Sequence, residues 1–466
     1  MSVLDALVAA TGGRPVLTGD DVGDDYGHDE ALTVAGVRPA YVACPTDAAE
    51  VAALLAVATE HGLPVTARGS GTGLSGACTP TAESLLISFE AMDRILEIDT
   101  DNFVAVVQPG VTLAQLDEAL APLGLAYPVY PGEYSASLGG NVATNAGGMR
   151  AVKYGVTRHQ VLGLEAVLPT GETIRTGGKF VKATTGYDLT QLIIGSEGTL
   201  ALVTEATLRL YPRAPHTATV LAPFPSLEAV TRAIPRIVAS GVGPMILEYI
   251  DMITLSAITA HVGLELGIPE EISSTALAYL VVMMEQMSDS RLEEDVAALA
   301  EQLADLGALD VYVLPGGAAA SLIDAREKSF WVAKANNADD IVDIVVPRAS
   351  LPEFMDHVAA IAAETGSWIA GCGHAGDGNV HLSVFQGDPE VRATVLRRLF
   401  AIGMELGGAI SGEHGIGRAK QRYFLELEDP AKLALMRRIK TAFDPSGILN
   451  PGVLLGEAPI DETVSP

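Results

Sequence analysis

Apolar positions along the chain change period several times, and each change marks an element. Tyr41-Val42-Ala43 reads as a short strand; Asp47 with Glu50 three residues on forms a helix-capping pattern. Val51, Leu54, Leu55 and Ala58 then recur at helical spacing, and Gly62 ends the run. Pro64-Val65-Thr66 is a second strand, so the chain opens as a β-α-β unit preceded by polar, irregular residues 1–37. Leu85–Phe89, Ile95–Ile98 and Phe103–Val107 read as strands. Thr112 and Gln115 cap a helix whose face is Leu113, Leu116, Leu120 and Leu123, and Glu165–Leu168 with Thr173–Arg175 make a hairpin. Two prolines within Tyr211–Pro215 break the pattern. Beyond them, helical Leu227–Val238 and Arg291–Leu306 alternate with strand-like Leu247–Tyr249 and Leu277–Glu285, which predicts an α+β domain on an antiparallel sheet. A helix over Glu390–Leu406 and another from Pro430 close the chain.

Composition narrows the picture. The chain has 466 residues, too many for one ordinary core, so two or three domains are expected. A net charge of −29 argues against binding a nucleic-acid backbone. Cys44, Cys78 and Cys372 show no paired spacing, which fits a reduced cytoplasmic setting without a disulfide framework or an iron–sulfur cluster. No apolar run is long enough for a membrane span, so any membrane association is expected to be peripheral, through a partner.

Three glycine-rich stretches carry the candidate chemistry. TARGSGTGLSGA, Thr66–Ala77, follows a strand and offers closely spaced backbone N–H groups, a nest for phosphate oxygens. Gly71, Gly73 and Gly76 have GxGxxG spacing, but the stretch is read neither as the GxGxxG of a nicotinamide-binding fold nor as a P-loop. PGEYSASLGGNVATNAGGMRAVKYG, Pro131–Gly155, lets backbone approach a large planar ligand. GHAGDGNVH, Gly373–His381, taken alone could hold a phosphate, hold a metal or simply turn. His374 and His381 are seven residues apart, so on one straight strand they would face opposite ways; they meet only if the chain folds back between them.

Together with GSEGTL, SGEHGIGRAK (Ser411–Lys420) and FDPSGILNPG (Phe443–Gly452), these stretches resemble the FAD-linked oxidases of the vanillyl-alcohol oxidase and p-cresol methylhydroxylase superfamily. The resemblance covers about residues 38–455 and is nearest the branch holding the glycolate oxidase D subunit, D-lactate dehydrogenases and D-2-hydroxyglutarate dehydrogenase. It implies an α+β chain. A p-cresol-methylhydroxylase-type FAD-binding domain of two subdomains, 38–213, follows the lead-in 1–37. An α+β substrate or cap domain, 214–410, comes next, then a helical C-terminal segment returning to the flavin site, 411–455, and a mobile tail, 456–466. The resemblance assigns FAD contacts to Arg68, Gly69, Ser70, Gly71, Thr72, Gly73, Ser75 and Gly76, then to Gly132, Ser137, Gly140, Asn141, Thr144, Gly147 and Gly148, and finally to Glu197, Gly198, Val203 and Asn450. Some relatives tether the flavin through a histidine in the first loop; residues 66–77 have none, so non-covalent FAD is expected.

The same resemblance implies that His374, His381 and Glu413 bind a divalent metal, that His414 is the general base, that Arg326 binds the substrate carboxylate and that Asn379 lies close by. Two imidazoles and a carboxylate suit Zn²⁺ or Mn²⁺. Members acting on 2-hydroxyglutarate carry a lysine and a threonine where Phe330 and Ile341 align here, which weakens the case for a second substrate carboxylate. The expected activity is oxidation of a small D-2-hydroxy acid, D-lactate first and glycolate next, with an external acceptor (a quinone, a cytochrome or an iron–sulfur partner subunit) and with a homodimer as one compatible assembly. The rivals are a D-2-hydroxyglutarate dehydrogenase, a flavoenzyme of the same fold without net redox, and a flavin-independent metallohydrolase.

Overall fold

The computed structural model describes residues 1–456; of the expected mobile tail, 457–466 lie outside the described residues. The first helix of the opening unit, Ala48–His61, is set as its sequence predicts. The Asp47 side chain accepts from Glu50 N at 3.0 Å, and Gly62 closes the helix at φ 63°. Its fully buried Leu54 and Leu55 each contribute about 1.5–3 kcal/mol. The strands Tyr41–Ala43 and Val65–Arg68 do not pair with each other, however. Leu85–Ser88 runs between them, parallel to both. Leu85, Leu86 and Ile87 are apolar on both faces of their strand, and the centre of a sheet is where both faces are covered.

The lead-in is more ordered than its polarity suggests. Val3–Ala10 is a helix with a reciprocal cap between Ser2 and Asp5, and it buries Leu7 against the cluster of Val51, Leu54 and Leu55. The Ser-x-x-Asp signature at residues 2–5 was the legible signal for it. A five-stranded antiparallel sheet follows in the order 95–99, 104–107, 202–209, 161–167, 173–177, and includes the expected hairpin. Thr112 and Gln115 make the expected reciprocal cap of the helix Leu113–Leu120.

After Pro212 the chain enters a seven-stranded, wholly antiparallel sheet. Its strand order is 312–314, 216–224, 278–286, 246–251, 368–374, 379–385, 340–345. Side chains alternate along each strand, so the sheet has two faces with different cores. Val220, Leu280, Val282, Tyr249, Leu382 and Val384 pack under the helices 227–239, 289–305, 351–365 and 389–405. Leu221, Val281, Ile250 and Cys372 face the other way, towards the helices 252–262, 316–327 and 329–335. This second face is the one that carries chemistry. The last helix, Pro430–Phe443, leads back to the first domain, where Leu449 bridges Val65 in parallel and Asn450 N donates to Val65 O at 2.7 Å.

Candidate functional site

The glycine–histidine stretch is the tip of a hairpin rather than a loop. His374 ends the strand Trp368–His374 and His381 lies in the strand Asn379–Phe385. The register sets Cys372 opposite His381 and His374 opposite Asn379, so both imidazoles rise from the same face. The chain does fold back between them, through Gly378 at φ 89°, where a Cβ would meet Val346 O at 2.0 Å. Glu413 comes to the pair from the other end of the chain. Its Oε1 is 3.0 Å from His374 Nε2 and 3.2 Å from His381 Nε2. Gly147 admits it, since a Cβ there would lie 2.5 Å from Glu413 Oε2.

Asp343 fixes the segment that carries Glu413. It is fully buried; its Oδ2 accepts from Ser411 Oγ at 2.6 Å and from the backbone N–H groups of Gly412, Glu413 and His414 at 2.8–3.1 Å. Asn379 Nδ2 donates to Asp343 Oδ1 at 2.8 Å and to Ile344 O at 3.0 Å. Burial alone would push Asp343 up, but His414, Lys420 and His381 hold it well below the usual carboxylate range. Asp343, His381 and His414 form a second cluster whose ligand-type atoms lie within 4.8 Å of one another, as do those of His374, His381 and Glu413. Asp343 has its oxygens committed to five donors, whereas among the described residues the side chain of Glu413 pairs only with the two imidazoles, so the latter set is the better cation site.

Glu248 stands behind this set. Its Oε1 lies 2.7 Å from His374 Nδ1, which directs the other nitrogen, Nε2, towards Glu413. Burial works against a charged imidazole, yet Glu248 and Glu413 raise His374 well above its ordinary value. Glu413 is correspondingly held well below its own by His374 and His381, although burial opposes this. Glu248 Oε2 is also 2.6 Å from Arg326 Nη2, but at an angle that makes no hydrogen bond. Arg326 is buried; Nη1 reaches Ser329 Oγ at 3.4 Å, while Nε and Nη2 have no hydrogen-bond partner. A buried guanidinium that lines a cavity and has donors without hydrogen-bond partners suits a planar anion.

His414 stacks on His381 with ring centroids 5.0 Å apart. Burial pushes its imidazole down to about 4, despite the opposing charge of Asp343, so it is neutral near pH 7. His414 and Glu413 line two adjoining cavities, together with Leu74 and Pro131. One cavity, of about 280 Å³, contains Arg326, His374 and His381. The other is walled by the two glycine-rich stretches of the first domain.

Of the residues expected to contact FAD, Gly69, Ser70, Gly71, Thr72, Gly73, Ser137, Gly140, Asn141, Thr144, Gly147, Glu197, Gly198 and Val203 line the second cavity. Gly132 and Gly148 line the first. The remaining four lie behind the wall. Arg68 Nη1 donates to His28 O at 2.6 Å, Ser75 Oγ to His414 O at 2.5 Å, and Asn450 Nδ2 to Ala77 O and Glu197 O at 2.8 Å. Gly76 packs its α-carbon against Val34. Ser70 and Ser137 tie the two stretches together by exchanging backbone-to-hydroxyl bonds at 2.9 and 3.2 Å. Glu197 is a latch as well as a wall, for its carboxylate accepts from Ile416 N and Gly417 N at 2.7 Å each. Asn379 does not line either cavity; its amide is spent on Asp343. Asp377 is the turn-former, accepting from Asn379 N at 3.1 Å.

Glu248 and Asp343 are the residues that motif reading passed over. Each is the interior acid of an otherwise apolar strand that carries a second acid only at one end, Ile246–Asp251 and Asp340–Val345. A carboxylate there must be paired or lie at a site, and that was the available signal.

Two family models match the chain: the FAD binding domain over residues 39–177 and the C-terminal domain of FAD linked oxidases over 213–454. An uncharacterized FAD-linked oxidoreductase of Mycobacterium tuberculosis is 60% identical over 446 residues, covering 96% of this chain and 97% of that one. A D-lactate dehydrogenase of Anaerostipes hadrus is 36% identical, covering 94% of each. The crystal structure of p-cresol methylhydroxylase matches with a TM-score of 0.77 over 98% of this chain and 96% of that one, at 15% identity, which establishes the fold. With two adjoining cavities beneath a glycine-lined wall and relatives across its length, the chain belongs to the FAD-linked oxidases and is an oxidoreductase of the branch that holds D-lactate dehydrogenase, the glycolate oxidase subunit GlcD and D-2-hydroxyglutarate dehydrogenase.

Proposed function

We propose that the protein oxidises a D-2-hydroxy acid to the corresponding 2-oxo acid, with FAD held non-covalently in the glycine-walled cavity and a divalent cation, Zn²⁺ or Mn²⁺, held by His374, His381 and Glu413. The observation that carries this reading is the shared wall. Glu413 and His414 line both cavities, so a substrate seated by Arg326 lies against whatever fills the neighbouring one. FAD held there would supply a two-electron acceptor for the Cα hydrogen. A cation held by His374, His381 and Glu413 would supply a Lewis acid for the substrate hydroxyl.

The chain's own groups do the rest. Arg326, which lines the first cavity, binds the carboxylate and so orients Cα. Glu248 holds both Arg326 and His374 and keeps their spacing. His414, neutral and buried, takes the hydroxyl proton. Asp343 clamps the backbone of His414 and Glu413 through the N–H groups of both. Carboxylate, hydroxyl and hydride acceptor make three points of attachment, which selects one enantiomer. The electrons then leave to an external acceptor.

An anaerobic screen of flavin reduction tests this. D-2-hydroxy acids should bleach the flavin and their L-enantiomers should not, and prior chelation should abolish the reaction. Bleaching unaffected by chelation would remove the cation from the mechanism, and no bleaching by any 2-hydroxy acid would overturn the reading.

A further inference from the structure

The first cavity changes character along its length, and the hairpin shows why. Trp368, Ala370, Cys372 and His374 alternate onto one face of one strand, and His381, Ser383 and Phe385 onto the same face of the next; all seven line the cavity. The floor thus runs from the two imidazoles to an aromatic pair. His381 and Phe385 are four residues apart, about 13 Å at the strand rise. At the far end Trp368 and Phe385 lie with ring centroids 4.6 Å apart, and Trp368 is 49% exposed, which marks the opening. Ile253, Ala257 and Ile258 of the helix Met252–Val262 form the facing wall.

The charges are all at one end. Among the described residues lining this cavity, Arg326 is the only lysine or arginine, and it stands beside His374. Phe330 and Ile341 both line it and add apolar surface. A lactate molecule held by Arg326 and the imidazoles extends only one methyl beyond Cα and leaves the apolar length unused. A second carboxylate would be buried there without a counter-charge.

Resting on the dehydrogenase reading above, we infer that the substrate is a D-2-hydroxy acid with an extended apolar side chain, aliphatic or aryl, that lies along the floor between Ala370 and Ser383 and ends at Trp368 and Phe385. Each methylene moved from water onto this surface should raise kcat/KM by roughly three- to fourfold.

The test is anaerobic flavin reduction by wild-type holoenzyme across D-lactate, D-2-hydroxybutanoate, D-2-hydroxyhexanoate, D-2-hydroxyoctanoate, D-phenyllactate and D-2-hydroxyglutarate. A rise of kcat/KM with chain length, and hydroxyglutarate at the bottom, is the expected result. Ala257→Phe, which fills the far wall, should collapse the octanoate-to-lactate ratio of kcat/KM by at least tenfold. If lactate or hydroxyglutarate is the best substrate, or if rates are flat along the series, the apolar-tail assignment is wrong while the dehydrogenase reading stands. If no member reduces the flavin, the dehydrogenase reading itself fails.

Discussion

The two adjoining cavities are built on opposite plans. The first domain surrounds its cavity with backbone and small side chains: glycines, hydroxyls and alanines from two neighbouring stretches, locked by the Ser70–Ser137 exchange. The second domain lines one end of its cavity with large titratable side chains, Arg326, His374, His381 and Glu413, backed by Glu248, brought from distant places by one antiparallel sheet and one returning segment. A backbone cradle fails when atoms are added to it. A side-chain cluster fails when they are removed. The contrast predicts different responses to substitution on the two sides of the same wall.

The largest effect is expected at the wall itself. His414→Asn should lower kcat by roughly 10²–10⁴-fold, the usual weight of a positioned base, while the flavin spectrum of the purified protein is retained. Loss of bound flavin together with activity would show that His414 serves the cofactor side instead. Glu248→Gln comes next. It removes the negative charge behind His374 and leaves a weaker amide acceptor, so apparent metal affinity should fall about 10–100-fold, measured by metal titration of the stripped protein, with activity recovered at high metal concentration. Failure of added metal to restore activity would mean that Glu248 acts chiefly through Arg326.

On the glycine side the sensitive change is an addition. A Cβ at Gly69 would lie 2.0 Å from Ser137 Oγ, and overpacking of this kind costs about 1–3 kcal/mol. Gly69→Ala should therefore weaken FAD binding by about 10–100-fold, read by flavin fluorescence on dilution, while metal affinity is unchanged. Equal damage to both would merge the two cavities into one cooperative unit.

The smallest effect concerns Glu327, which lines the substrate cavity beside Arg326. Burial pushes its carboxyl up to about 7, from an ordinary value of 4.5. An acid raised on folding binds its proton more tightly in the native state, so its contribution to stability is greatest below 4.5, declines as pH rises through that window and levels off above about 7. Glu327→Gln should therefore raise Tm more at pH 8 than at pH 5, by the equivalent of about 1–3 kcal/mol. The same gain at both pH values would contradict the assignment.

Some of this was legible in the residues. Asp47 and Thr112 announced their helices, the apolar periodicity found the strand Ala278–Gln286, and the glycine stretches announced a backbone cradle, because capping, alternation and glycine freedom act over a few residues. The His374–His381 spacing even required a reversal of the chain, which the hairpin supplies. Other features had no local signature. Nothing near Leu85 says that it enters between two earlier strands, and Asn379 sits in the same motif as His381 yet serves Asp343.

By itself, then, the sequence determined the family, the glycine-lined half of the site and the identity of the imidazole pair, since each depends on neighbours within one stretch. Only the tertiary structure decided that Glu248 stands behind His374, that Asp343 clamps the segment bearing Glu413, and that the first cavity runs from charge to aromatic rings. Those contacts join residues up to 126 positions apart, and a sheet makes them by register, which no single segment encodes.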